Sequence, residues 1–178
     1  MTDNIPTELT TKLETAIRAA RAAGAYSDTI ADLEALDGAG VTLGDILENE
    51  RGANAAYWYA EEVIKGRWPE AEGVIAQDAF SALRYASDII KGRWPEAEAV
   101  IAQDADAASW YAEGVIKGRW PEAEGVIAQK AYAASWYAEG VIKGRWPEAE
   151  AVIAQDADAA LRYAEGVIKG RWPEDGIC

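Results

Sequence analysis

The chain has no histidine, and its one cysteine, Cys178, is the last of its 178 residues. These two absences remove the usual zinc ligand sets, Cys–His nucleophile pairs and any intramolecular disulfide. A thiol in that position reads as a dangling group or as a cross-link between two chains. Basic residues are scarce beside acidic ones, 17 against 31, and the formal charge is −14. The deficit is spread along the chain: residues 1–50 hold 10 acidic and 3 basic side chains and the remainder 21 and 14, net −7 in each part. Such a surface repels nucleic acid and anionic membrane and attracts a basic protein surface, including one that ordinarily holds DNA or RNA. No apolar run approaches the roughly 18 residues of a membrane span. The start, Met1-Thr2-Asp3-Asn4, lacks the basic and apolar regions of a signal peptide. These features lead us to expect a cytoplasmic protein with no metal, no cofactor, no membrane contact and no direct contact with nucleic acid.

What the chain does have is repetition. Lys-Gly-Arg-Trp-Pro-Glu begins at Lys65, Lys91, Lys117, Lys143 and Lys169, a period of 26 residues. Tyr-Ala and Val-Ile or Ile-Ile precede each copy, and all but the last are followed by Ala-Glu-x-Val-Ile-Ala-Gln. A fixed period of this size signals stacked supersecondary units. The composition, 50% hydrophobic, argues against disorder.

The unit from Trp94 to Arg119 predicts a helical hairpin. Pro95 fixes its own φ and biases Trp94 away from helical geometry, so a short helix starts at Pro95. Glu96 and Glu98 favour the positive end of its dipole. Gln103-Asp104 forms the corner, and Asp104 caps a second, longer helix that runs to about Lys117. Gly118 is expected to supply the left-handed residue that ends it. Neither helix is long enough to stand alone, so stacking must stabilise both. Ala108, Tyr111, Ala112, Val115 and Ile116 form the packed stripe, and Tyr59, Tyr85, Tyr111, Tyr137 and Tyr163 never vary among the copies.

Residues 1–52 lack the repeat. Pro6 and Gly24 bracket one apolar-striped segment, Ser27 can cap a second, and Thr42-Leu43-Gly44-Asp45 resembles a capping box before a third. An N-terminal helical cap is the expectation, because a bare repeat would expose its apolar side. The fold class is therefore an all-α, right-handed-type α-solenoid of short hairpins. The cap covers 1–52 and the repeat array 53–178, with units starting near Trp68, Trp94, Trp120 and Trp146 and a truncated one at Trp172.

Function should lie where the copies differ while the frame holds. Four such positions lie on one stripe of the second helix, away from its Ala-Val-Ile face, and that stripe is expected to be the outer surface. The first is occupied by Asn54, Phe80, Asp106, Tyr132 and Asp158. The second carries Trp58, Arg84, Trp110, Trp136 and Arg162. The third is Glu61, Ser87, Glu113, Glu139 and Glu165, and the fourth Glu62, Asp88, Gly114, Gly140 and Gly166. Trp, Tyr and Arg are the usual anchors of protein interfaces. Trp58, Phe80, Arg84, Asp106, Trp110, Tyr132, Trp136, Asp158 and Arg162 are accordingly the candidate partner-binding residues, and the competing reading is that the tryptophans fold over the next repeat as core. The recurring motif reads as structural, with Trp68 wedged between hairpins and Arg67 paired to a glutamate of a neighbour. Its basic–aromatic row offers the alternative of an anion site. Glu70 and Glu72 as catalytic carboxylates would need one copy with a distinct environment, which near-identical copies do not supply. Lys130 stands where Asp78, Asp104 and Asp156 cap the other second helices.

The phrase Val-Ile-Lys-Gly-Arg-Trp-Pro-Glu-Ala-Glu, with Tyr-Ala before it and Val-Ile-Ala-Gln-Asp after it, resembles 26-residue helical repeats in predicted proteins of bacteriophages and bacteria. The likeness spans about 53–174 and implies a phage-type origin without implying an activity. The expectation is a non-enzymatic protein-binding repeat protein, in its most concrete version a phage-type acidic inhibitor that occupies a host defence protein by nucleic-acid mimicry. The alternatives are a structural or self-assembling repeat protein, natural or engineered, joined to a second copy through its C-terminal end, and a small-anion sequestering protein.

Overall fold

The computed structural model describes residues 52–172, and every regular element among them is helical. Of the expected cap, residues 1–52, only Gly52 is described, and the tail from Pro173 to Cys178 also lies outside the described residues. The chain divides between Ile90 and Lys91 into two compact units. The described part of the first holds α1 (Gly52–Tyr59), α2 (Pro69–Ile75) and α3 (Ala79–Arg84). The second holds α4 (Pro95–Ile101), α5 (Ala105–Tyr111), α6 (Pro121–Ile127), α7 (Ala131–Tyr137), α8 (Pro147–Ile153) and α9 (Ala157–Tyr163). The odd-numbered helices α1 to α9 are each prolonged by a π-helical turn, Ala112–Ile116 in the case of α5. Within the second unit α7 packs against α5 on one side and α9 on the other. The chain is an all-α helical-repeat solenoid, as its periodicity implies.

Local chemistry sets the helix ends. Trp94, Trp120 and Trp146 hold φ near −126° to −125°, and the proline after each opens the short helix. Asp104 accepts a hydrogen bond from Ala107 N–H at 2.9 Å, and Asp156 caps α9 through Ala159 N–H at 2.8 Å. Lys130 cannot accept, and α7 has no side-chain cap.

The far end of the second helix differs from expectation. The left-handed residue is the lysine and not the glycine: Lys117 has φ 59° and ψ 39°. The lysines that open the five copies of the motif share this conformation, with φ between 55° and 59°. The helix widens in its last turn, and the amides of Lys117 and Gly118 both donate to Ala112 O, the latter at 3.1 Å. Closing two successive amides on one carbonyl reverses the chain at the lysine. Gly118 has a φ outside the left-handed range, and a Cβ there would meet nothing within 4 Å. Nothing in the structure explains that glycine.

Packing rests on one constellation, repeated in register. Arg119 grips Glu124 with two hydrogen bonds of 2.7 Å. The Tyr137 hydroxyl accepts from Trp120 N–H at 2.7 Å and donates to Glu124 Oε1 at 2.9 Å. The same clamp joins Arg67, Trp68, Glu72 and Tyr85 in the first unit. It recurs with Arg93, Trp94, Glu98 and Tyr111, and with Arg145, Trp146, Glu150 and Tyr163. The expected pairing of Arg67 with a neighbour's glutamate is thus met. Its partner, Glu72, is five residues on, across the proline corner and in the unit that starts at Trp68. The rings reach the following unit as well: Tyr111 meets Trp120 at 5.2 Å and Tyr137 meets Trp146 at 5.2 Å between centroids. Each of these tyrosines and tryptophans is almost wholly buried.

The clamp is also electrostatic. Hydrogen bonds from Arg119, with help from Tyr137, hold the Glu124 carboxyl below the usual carboxylate range despite partial burial. Burial first, then the carboxylate it faces, pushes the Tyr137 hydroxyl up to about 12. Tyr85, Tyr111 and Tyr163 are likewise raised to about 12.

Three outcomes follow. Replacing Lys143 by glycine removes a left-handed L-residue and should raise stability by roughly 1 kcal/mol in urea denaturation, with the slope unchanged. The clamp should give a flat stability profile from about pH 5 to 9. Its raised tyrosines contribute fully below their unfolded value of about 10 and lose that contribution as pH climbs toward 12. Its depressed glutamates contribute fully above about pH 4.3 and lose it as pH falls through their lower folded values. Tyr137→Phe leaves the buried Trp120 N–H without an acceptor and should cost about 1–3 kcal/mol at neutral pH, with a smaller alkaline loss, both read by denaturation followed by circular dichroism.

Candidate interaction surface

The helix stacking that buries the invariant tyrosines leaves the variable positions on another stripe of the same helices. In the second unit α5 presents Asp106 and Trp110, α7 presents Tyr132 and Trp136, and α9 presents Asp158 and Arg162. Trp110 is 47% exposed and Tyr132 45%. Asp158 is exposed, while Asp106, Trp136 and Arg162 are half-buried. The expectation of an outer stripe is therefore met at Trp110, Tyr132 and Asp158, and the competing expectation of inter-repeat packing is met in part at Trp136.

The cover over Trp136 comes from the next copy. The Arg162 guanidinium carbon lies 4.2 Å from the Trp136 ring centroid and 5.7 Å from that of Tyr132. Its Nη1 donates to Glu139 Oε2 at 3.0 Å. Tyr132 stands edge-on to Trp136 at 6.3 Å. Cation–π contact and a charge-assisted hydrogen bond thus fix the arginine over the aromatic pair. The Trp136 indole N–H is buried and has no acceptor. Beside this cluster Lys130 donates to Asp106 of the preceding copy, and that bond raises the lysine's pKa. The residue that fails as a helix cap acts instead as a tie between copies.

The third and fourth positions interlock too. A Cβ built on Gly140 would lie 2.7 Å from Glu113 Oε1, and one on Gly166 would lie 2.7 Å from the Glu139 carboxyl. Glycine inside the second helix makes room for the glutamate of the preceding copy. At Gly114 a Cβ meets nothing within 4 Å, so that glycine has no such account.

In the first unit Trp58 is half-buried, with its ring 5.6 Å from that of Tyr57, and Phe80 and Arg84 are exposed. Asp88, where the second unit has glycine, accepts from the Tyr57 hydroxyl at 2.9 Å. Burial, then the Glu61 and Asp88 carboxylates, raises that hydroxyl above the ordinary tyrosine range.

One residue escaped sequence reasoning. Leu161 is 59% exposed and helps line an open groove of about 630 Å3 with Tyr132, Asp158, Arg162 and Glu165. The available signal was a leucine at a place where Ser109 and Ser135 stand in the two preceding copies.

Fold and surface together define a helical-repeat protein with an aromatic, arginine-bearing stripe. No family model, no curated protein and no solved structure matches the chain. Among the described residues no group of His, Cys, Asp or Glu is placed to hold a metal ion, and no helix is long and apolar enough to cross a membrane.

Proposed function

We propose that the chain is a non-enzymatic binding protein whose contact surface is the variable stripe and whose partner is a protein with a basic surface. The observation that carries this reading is the exposure of Trp110 and Tyr132, at 47% and 45%, on helices whose invariant faces are buried. Large aromatic groups held on a packed frame lose little freedom on binding, and such groups are the usual centres of interface energy. Exposed Glu113, Asp158 and Glu165 flank them. The net charge of −14 adds long-range attraction toward a basic partner.

The motif rows support the scaffold reading over an anion store. Arg67, Arg93, Arg119 and Arg145 are each committed to a glutamate five residues on. That commitment also takes one carboxylate per copy out of any imitation of a phosphate backbone. The stripe therefore supports recognition better than charge alone does. In the phage-type setting that the sequence resemblance implies, such a protein acts in the cytoplasm by occupying a host protein, and a nucleic-acid-handling protein has the basic surface that its charge suits.

The test is capture from host lysate with the wild-type chain and with Trp110→Ala/Tyr132→Ala, followed by titration of the recovered partner. Loss of two hot-spot anchors should weaken binding by at least about tenfold, and raising salt should weaken wild-type binding further. Equal affinity of the double variant would discard the stripe, and salt-independent binding would discard the basic partner.

A further inference from the structure

The contacts of Arg162 show what this stripe does with a guanidinium. The group lies 4.2 Å from the Trp136 ring centroid and donates to Glu139 at 3.0 Å, so ring and carboxylate form one seat for a cation. Gly166, in the same copy as Arg162, leaves the glutamate its room: a Cβ there would lie 2.7 Å from the Glu139 carboxyl. With the arginine in place, Trp136 and Glu139 are both half-buried.

The preceding copy builds the same seat and brings no arginine to it. Trp110 and Glu113 hold the same two places, and Gly140 gives Glu113 its room, again with 2.7 Å from a built Cβ to the carboxylate. The residue in the place of Arg162 is Trp136, which carries no charge and stands edge-on to Tyr132. Trp110 is 47% exposed, and Glu113 is exposed. Among the described residues no cation is bonded to the Glu113 carboxylate. Lys130 and Asp106 nearby are already paired with one another and add no net charge. The first unit shows the part played by the glycine. Trp58 and Glu61 precede Arg84 there in the same register, but Asp88 stands where the seat has glycine. Glu61 Oε2 is buried with no partner, and Arg84 is exposed. An arginine at the right place in the repeat is therefore not enough; the seat also needs the glycine, and Trp110–Glu113 has it.

We propose that Trp110 and Glu113 take an arginine side chain of the partner, its guanidinium stacked on the indole and hydrogen-bonded to the carboxylate as Arg162 is one copy later. This rests on the stripe being the partner-binding surface, and it adds which side chain of a basic partner the stripe selects. A flat, weakly hydrated guanidinium can cover the ring and still aim an N–H at the glutamate. A lysine ammonium is compact, holds its water more strongly and has no plane to stack.

NMR titration of the full chain tests this with two N-acetylated, C-amidated peptides, one carrying a single arginine among glycines and the other a lysine in its place. The arginine peptide should shift the Trp110 indole N–H resonance saturably, and the lysine peptide should bind at least about fivefold more weakly. Glu113→Gln should weaken arginine binding about tenfold. Glu122→Gln, an equal loss of charge at an exposed place on α6, should not. Trp136→Arg puts an arginine where the next copy has one, and it should fill the seat from within and abolish the peptide's effect on Trp110. Equal binding of the two peptides overturns the proposal, as does arginine binding that Glu113→Gln or Trp136→Arg leaves intact, or a Trp110 resonance that neither peptide moves. Each of these results leaves the stripe itself to the lysate capture, where Trp110→Ala/Tyr132→Ala reports on binding whatever side chain the partner presents.

Discussion

A tyrosine hydroxyl placed between a backbone amide and a carboxylate is the contact on which the rest of this structure depends. Proline at the start of each short helix leaves the preceding tryptophan turned out of helical geometry and its N–H buried. An unsatisfied buried amide would cost about 1–3 kcal/mol. Tyr137 satisfies that of Trp120 and donates its own hydroxyl hydrogen bond to Glu124, and Arg119 holds the glutamate in place. Its ring then meets Trp146 of the next hairpin. One residue therefore closes its own hairpin and docks the following one. Arg, Trp, Pro and the Ala-Glu after them recur because each is a part of this joint, and the spacing between joints fixes where everything else is displayed.

That joint explains a division of labour along the second helix. Positions that take part in it, or lie beneath it, are the same in every copy. Positions one stripe away differ, and in the second unit their differences are correlated between copies. Arg162 covers Trp136, Glu139 holds Arg162, and Gly166 gives Glu139 room. Lys130 gives up a helix cap and reaches back to Asp106. A stripe built from such cross-copy contacts is rigid as a surface as well as variable in chemistry, which suits recognition of one partner more than adaptable contact with many.

Much of the frame was legible in the sequence because its rules are local. Pro95 marks a helix start, Asp104 a cap, and the 26-residue period a stacked hairpin. The features that were not legible depend on geometry beyond the local pattern. A π-helical last turn moves the left-handed position from Gly118 back to Lys117, and no propensity scale announces that widening. The exposure of Trp110 and the half-burial of Trp136 could not be separated from type or position, since both are tryptophan at one place in the repeat. The arginine of the next copy decides the burial of Trp136. Leu161 went unmarked because the residue is ordinary and only the lack of cover makes it notable.

The central claim, that the tyrosine clamp holds each hairpin, is tested most directly by native-state hydrogen exchange at the backbone amides of Trp94, Trp120 and Trp146. The account predicts that these three amides, which lie outside regular helix hydrogen bonding, exchange as slowly as the buried core of the second helices, because they open only when the hairpin opens. Exchange at the rate of an exposed loop amide would contradict it.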